Sequence, residues 1–273
     1  MRQATTVVLR GGGDIGSGVA HRLYMSGMSV VIAEIEKPTM LRRPVSFAEA
    51  IYEGSHRLEG VVARRAANIR EVSEILSRME IPVMVDPEAN LVKEIKVDVL
   101  VDAIMAKKNS GTSIHAAPKV IGLGPGFKVG SDVHAAIETN RGHDLGRVLL
   151  HGEAEPDTGK PGEIGGYTSE RVLRAPCPGE FKALKRIGDH VSSGERLAYV
   201  GHHAVVSQIT GVLRGCVHNG LEVRASQKVG DVDPRDVREY CFTISDKARA
   251  IAGGVLEAIL YLQNRNTTDK LSP

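Results

Sequence analysis

The sequence predicts an α/β protein in which a doubly wound parallel sheet is followed by a small all-β domain and a closing helix. Three observations carry that prediction. Val7 to Glu34 spells out a strand, a glycine loop, a helix and a second strand; apolar strands then alternate with helical patterns as far as Leu123; and beyond Arg171 two glycine-bearing segments repeat at a fixed spacing.

Val7 to Arg10 is an apolar, β-rich run that ends on Gly11, Gly12 and Gly13, and the next segment carries Ile15, Val19, Leu23 and Tyr24 at helical spacing. Gly11, Gly13 and Gly16 fit G-x-G-x-x-G between a strand and a helix, the context of Rossmann-like dinucleotide sites. Glycine there tolerates positive φ and lets backbone amides approach an anion, while the new helix presents its positive end. Gly11, Gly12, Gly13, Asp14, Ile15 and Gly16 are therefore candidate cofactor-binding residues, with a pyrophosphate as the group they suit. An acid about 20 residues on should bind a ribose hydroxyl, and both Glu34 and Glu36 qualify. Lys37, Arg42 and Arg43 follow, so an additional phosphate is accommodated equally well. The same glycines also fit a plain tight turn.

The remaining elements of residues 1–150 come in order. Ser46 can cap a short helix through Glu53, a third strand lies near Leu58 to Ala63, and Asn68 caps a helix with Ile69, Val72, Ile75 and Leu76 on one face. A strand over Ile81 to Val85 precedes a helix opened by Pro87 and bearing Leu91, Val92 and Ile95; strands over Val97 to Met105 and Val120 to Leu123 complete the set. Val133 to Thr139 and Arg147 to Leu150 read as short strands joined by a turn. In such sheets ligands bind beyond the carboxyl ends of the strands. Lys107 and Asn109, near Lys108 and Thr112, and Gly124 and Gly126 of GLGPGF sit at two such ends and join the candidate site, although each group also reads as an ordinary turn. Arg141, His143 and Asp144 form a compact trio suited to proton transfer, to phosphate binding or to a hairpin turn.

Residues 151–170, rich in Gly and Pro, read as a linker, and the stretch Pro156 to Gly166 within them reads as a solvated connector or as a functional lid. In residues 171–243, Gly179 matches Gly211, Gly188 matches Gly220 and Val191 matches Val223, each pair 32 residues apart, as from 179 to 211. Paired hairpins related by a pseudo-twofold axis are expected, and the pattern resembles the barrel-sandwich fold of biotinyl and lipoyl carrier domains. The segment LAYVGHHAVV, Leu197 to Val206, has no lysine where those carriers are modified, and His202 and His203 at its centre read as a polar turn or as ligands for a metal or anion. Cys177, between Pro176 and Pro178, reads as a reactive thiol or as a small residue at a strand entrance. In residues 244–273, Ser245 caps a helix with Ala248, Ile251, Ala252, Val255, Leu256, Ile259 and Leu260 on one face, for core or for assembly as a homo-oligomer, and a polar tail begins at Asn264.

Composition narrows the function classes. The 273 residues carry 35 Lys plus Arg against 33 Asp plus Glu, interleaved, with 4% aromatics, which argues against nucleic acid as a partner. Three widely spaced cysteines argue against a disulfide framework or a structural zinc, and no metal site is expected. The start of the chain has no signal-peptide pattern and no run approaches 18 apolar residues, so a cytoplasmic protein without a membrane partner is expected. G-x-S-x-G, H-E-x-x-H and a P-loop lysine are absent, which removes the residue signatures of nucleophilic hydrolysis, zinc proteolysis and nucleotide-driven phosphoryl transfer.

The segments RGGGDIGSGVAHRLYMSGMSVVIAEIEKPTMLRRPVSFAEAIYEG, VDAIMAKKN, GLGPGF, IETNRGHDLGRV and PGEIGGYTSERVLRAP resemble the YqeB-type accessory proteins of the selenium-dependent molybdenum hydroxylase system. The resemblance runs through nearly the whole chain. It implies a role in maturation of molybdenum hydroxylases, with a hydroxylase or another maturation protein as partner. Hydroxylases of that class hold molybdopterin as a dinucleotide, whose pyrophosphate matches the Gly11 to Gly16 loop. The competing expectation is an NAD(P)-dependent oxidoreductase with His115, His143 or Lys107 as proton donor; a scaffold with an unused loop is the third.

Overall fold

The computed structural model describes residues 4–268 and falls into two compact units. The first holds the described residues of Met1–Pro38, Phe47–Asp157 and Ser245–Pro273; the second holds Thr39–Ser46 and Thr158–Ile244. Each unit is discontinuous in sequence. The closing helix belongs to the first, and an eight-residue stretch after the second strand belongs to the other.

The first unit is built from β1 (Thr6–Arg10), α1 (Asp14–Met25), β2 (Ser29–Glu34), α2 (Ala50–Glu53), β3 (Ser55–Leu58), β4 (Val61–Ala66), α3 (Ile69–Ser77), β5 (Ile81–Val85), β6 (Val99–Asp102), β7 (Val120–Leu123), β8 (Ala135–Ile137) and β9 (Val148–Leu149). These strands make one nine-stranded sheet in the order β3-β4-β5-β2-β1-β6-β7-β8-β9. Neighbours from β4 across to β8 are parallel, and the two edge pairs, β3–β4 and β8–β9, are antiparallel. The order runs outward from β1 in one direction through β2 and in the other through β6, so the strand order reverses at β1.

Period-two alternation divides each strand between two faces. Val8, Val31 and Leu100 pack in one cluster with Val72 and Ile75 of α3, Leu91 and Phe127. α1 and the closing helix, α4 (Asp246–Thr268), pack against each other, and α4 also lies on β7, β8 and β9. A side chain at Gly18 of α1 would place its Cβ 2.7 Å from that of Ala248, so glycine permits this close helix approach. Among the described residues no helix occupies the β6–β7 or β7–β8 connection, so α4 supplies helical cover from the far end of the chain.

Several local expectations change. The third strand is a hairpin, because Glu59 (φ 43°) and Gly60 (φ 88°) turn the chain sharply between β3 and β4. The helix expected after Pro87 is a single 3-10 turn over Asn90–Lys93, entered through Ala89 in the left-handed region and held by the Leu91 amide donating to Asp86 Oδ2 at 2.7 Å. Ser46 does not cap the short helix after it; its hydroxyl donates backward to the Arg42 carbonyl. Asn68 and Ser245 do cap, accepting the amides of Glu71 (3.0 Å) and Ala248 (3.2 Å). The polar tail expected from Asn264 is helical through Thr268, and its last residues lie outside those described.

The second unit holds β10 (Val172–Arg174), β11 (Gly179–Ala183), β12 (His190–Val191), β13 (Arg196–Val200), β14 (His203–Val206), β15 (Gly211–Cys216), β16 (Glu222–Val223) and β17 (Lys228–Asp233), in two four-stranded antiparallel sheets ordered β10-β17-β15-β12 and β14-β13-β11-β16. Phe181, Leu197, Leu213 and Val223 lie in its core. The sequence repeat becomes reciprocal pairing: Gly179 faces Val223, and Gly211 faces Val191. Backbone bonds repeat it, with Phe181 donating to the Leu221 carbonyl as Leu213 donates to that of Asp189, and Gly220 donating to Phe181 as Gly188 donates to Leu213. The inserted Thr39–Ser46 stretch is fastened by Arg42, which donates to the carbonyls of Tyr240 (2.8 Å) and Thr243 (2.9 Å), and by Arg43, which donates to that of Cys216 (3.1 Å). Gly215 leaves room for the Leu41 carbonyl.

Candidate functional site

At the carboxyl end of β1 the chain enters α1 through Gly11, Gly12 and Gly13. Gly11 has φ 104° and lies against the backbone of Ala103 and Ile104, while a Cβ at Gly16 would fall deep inside van der Waals contact with the Gly11 carbonyl oxygen. Both positions demand glycine for close backbone approach. α1 starts at Gly13 without a side-chain cap, unlike α3, where Asn68 Oδ1 accepts the Glu71 amide and Glu71 Oε2 accepts the amide of Ala67 just before the cap. Asp14 supplies an acid in the first turn.

Two loop amides are engaged within the protein. Gly11 donates to the Ala33 carbonyl at 2.9 Å, and Gly12 donates to Glu34 Oε2 at 2.8 Å. Glu34 Oε1 accepts the amide of Ile35 at 2.8 Å. Burial pushes the Glu34 carboxyl above the ordinary carboxylate value, against the pull of the two amides. Glu36 lies exposed beyond the strand, away from this bond. The Gly12 carbonyl accepts from the Ser17 hydroxyl and the Ala48 amide, both at 2.9 Å, and the Ser17 hydroxyl accepts the Phe47 amide at 2.7 Å. A polar clasp therefore holds the loop from behind.

The loop after β6 is organised by a residue that sequence reasoning missed. Arg10, buried at the end of β1, donates from Nε to the Pro87 carbonyl (3.0 Å) and from Nη1 to the Ser110 carbonyl (3.1 Å), the Ser110 hydroxyl (3.2 Å) and Thr112 Oγ1 (3.3 Å). Thr112 in turn donates to Asp102 Oδ2 at 2.5 Å, which lies 3.5 Å from Arg10. An arginine closing an apolar strand was the available signal. Asn109 serves this loop: its Oδ1 accepts the amides of Gly111 and Thr112 and its Nδ2 donates to the Thr112 carbonyl. Lys107 pairs with Asp157. Gly126 (φ 97°) packs against the backbone of Lys108 and Asn109, and Gly124 (φ 78°) lies against Thr139, so the loops after β6 and β7 touch.

The sequence trio separates. Arg141 makes a two-pronged pair with Asp246 at the start of α4 (2.7 and 2.8 Å), Asp144 pairs with Arg147 (3.1 Å), and His143 is exposed. Glu138, buried after β8, accepts the amides of Thr139, Asn140 and Glu155. Lys247 on α4 is half-buried near Arg141, Asp14, Glu138 and Asp246; burial and then Arg141 hold its ammonium below the ordinary lysine value.

The uncharacterized protein YqeB of Escherichia coli (strain K12) is 48% identical to this chain over 259 residues, 95% of the chain. This chain is similar to YqeB. It spans about half of YqeB, 48% of that protein's length. No protein-family model matches. Solved structures that align include an aspartoacylase family protein from Mesorhizobium loti, at 7% identity, covering 84% of this chain and 85% of that one, with TM-score 0.27. A product-bound structure of the ectoine utilization protein EutE (DoeB) from Ruegeria pomeroyi aligns at 11% identity over the same shares of each chain, also with TM-score 0.27. Among the described residues, no helix is long and apolar enough to cross a membrane.

Proposed function

We propose that the first unit is a Rossmann-like dinucleotide-binding module, that the second is a barrel-sandwich module that docks a partner protein, and that the chain is a YqeB-type accessory factor in maturation of molybdenum hydroxylases, selenium-dependent ones among them. The observation that carries the reading is α1 beginning uncapped on Gly13 where the strand order reverses at β1. A helix start without a capping side chain, beside glycines in close backbone contact, suits an anionic ligand. The pyrophosphate of a molybdopterin dinucleotide or of NAD(P) would meet the first turn, Gly13 to Gly16. A ribose hydroxyl would donate to Glu34, whose carboxylate keeps acceptor capacity beyond the two amides it holds. Gly124 and Gly126 would let backbone approach from the neighbouring loop, with Lys107 and Asn109 beside them.

The NAD(P)-dependent oxidoreductase reading is favoured by one specific observation, the Glu34 carboxylate held at the glycine loop, where a nicotinamide dinucleotide places its adenosine ribose. The two readings separate by chemistry. Freshly purified protein is denatured and the released small molecules are identified by mass spectrometry. A molybdopterin dinucleotide supports the maturation role, NAD or NADP supports the oxidoreductase, and a preparation that releases no nucleotide and shows no saturable binding of NAD, of NADP or of cofactor extracted from a molybdenum hydroxylase discards both.

A further inference from the structure

Within the second unit, the β13–β14 hairpin turns at Gly201 and His202, and Cys177 lies beside it on the link between β10 and β11. The Cys177 sulfur is 3.4 Å from Nδ1 of His203 and 3.4 Å from the Val200 carbonyl oxygen. Pro176 and Pro178 restrict the backbone around the thiol. The two segments are also stitched together: the Gly201 amide donates to the Glu180 carbonyl at 3.2 Å, and Phe181 pairs with Val200. Thiol and imidazole are therefore held in contact by the strands that carry them.

Exposure separates this cysteine from the others. Cys177 is partly exposed and His203 exposed, whereas Cys216 and Cys241 are buried, and burial pushes the Cys241 thiol up. A buried thiol in apolar surroundings is inert, and an accessible one beside a base is nucleophilic.

The geometry points to Cys177 as a covalent acceptor site for sulfur-centred electrophiles, disulfides above all, with His203 as its base. The thiol proton passes to Nδ1 of His203, in the tautomer that leaves that nitrogen unprotonated. The thiolate then attacks one sulfur of the disulfide, whose S–S bond breaks. A mixed disulfide forms on Cys177, the other half leaves as a thiolate with the bonding electron pair, and His203 gives up the proton to it or to solvent. Cys177 is oxidised and half of the reagent reduced, so the exchange needs no further oxidant. This site is independent of the nucleotide reading, since every residue in it lies in the second unit.

The test uses the full chain with two probes, dithiobisnitrobenzoate and oxidised glutathione, followed by absorbance and by mass spectrometry of peptides. A single fast modification is expected at Cys177, lost in Cys177→Ser. Both His203→Ala and His203→Gln should slow it by about tenfold or more while leaving the melting temperature near that of the parent. Gln keeps polarity at the hairpin but cannot take the proton. Fast modification at Cys216 or Cys241, no fast phase at all, unchanged rates in the His203 variants, or a parental rate in His203→Gln would each overturn the proposal.

Discussion

The Glu34 carboxylate accepts the backbone amide of Gly12 at 2.8 Å, which ties the acid at the end of β2 to the glycine loop at the end of β1. Burial raises the proton affinity of that carboxyl despite the amides it accepts. Folding therefore favours the protonated form. The stability this contributes is complete below the ordinary carboxylate range and declines as pH rises through the raised folded value. Glu34→Gln removes the titration, so the melting temperature of the variant minus that of the parent should grow between about pH 4 and pH 7. Parallel curves for the two proteins would refute the assignment.

Gly16→Ala tests the close approach inside the loop. The added methyl meets the Gly11 carbonyl oxygen, a backbone atom that can yield only by moving β1 or α1. A cost of about 1–3 kcal/mol is expected from overpacking, read as a lower urea midpoint with unchanged slope. An unaltered midpoint would mean that the loop is slack.

Arg10 and Asp102 are both buried, and Thr112 bridges them. Arg10→Met leaves Asp102 buried without its cation, for which roughly 3–5 kcal/mol of destabilisation is expected. Arg10→Met combined with Asp102→Leu should recover part of that loss, since the uncompensated charge is gone. Additive single-variant costs in urea unfolding would exclude the coupling.

In the second unit the matched glycines are not equivalent. A Cβ at Gly211 would fall deep within contact of the Asp233 carbonyl oxygen, whereas one at Gly179 would have its nearest neighbour, the Gly201 nitrogen, at 3.4 Å. Gly211→Ala should lower the melting temperature well beyond Gly179→Ala, and equal shifts would show that the pseudo-symmetry extends to packing.

How much of this was legible in the residues depends on range. The Asn68 and Ser245 caps, the Gly11–Gly16 turn and the fixed offset between Gly179 and Gly211 are local signals, and each corresponds to an element or a pairing. What escaped was set by contacts distant in sequence. α4 docks on α1 through Gly18 and Ala248, a relationship that no periodicity within either helix encodes. Arg10 reaches a loop 100 residues away, and Asn109, read as a ligand group, spends its polar atoms on its own turn. The Pro87 segment shows the opposite failure, since a helical apolar spacing was overruled by Asp86 and a left-handed Ala89. The Cys177–His203 contact joins a strand link to a hairpin 26 residues further along the chain.

The proposed dinucleotide site is probed by calorimetric titration of the intact chain with NAD, NADP and molybdopterin dinucleotide, set beside the same titrations of Gly13→Asp. Saturable binding of at least one of these ligands is expected, abolished when an aspartate carboxylate stands at the start of α1. Absence of binding to all three, or binding that survives Gly13→Asp, would rule the site out.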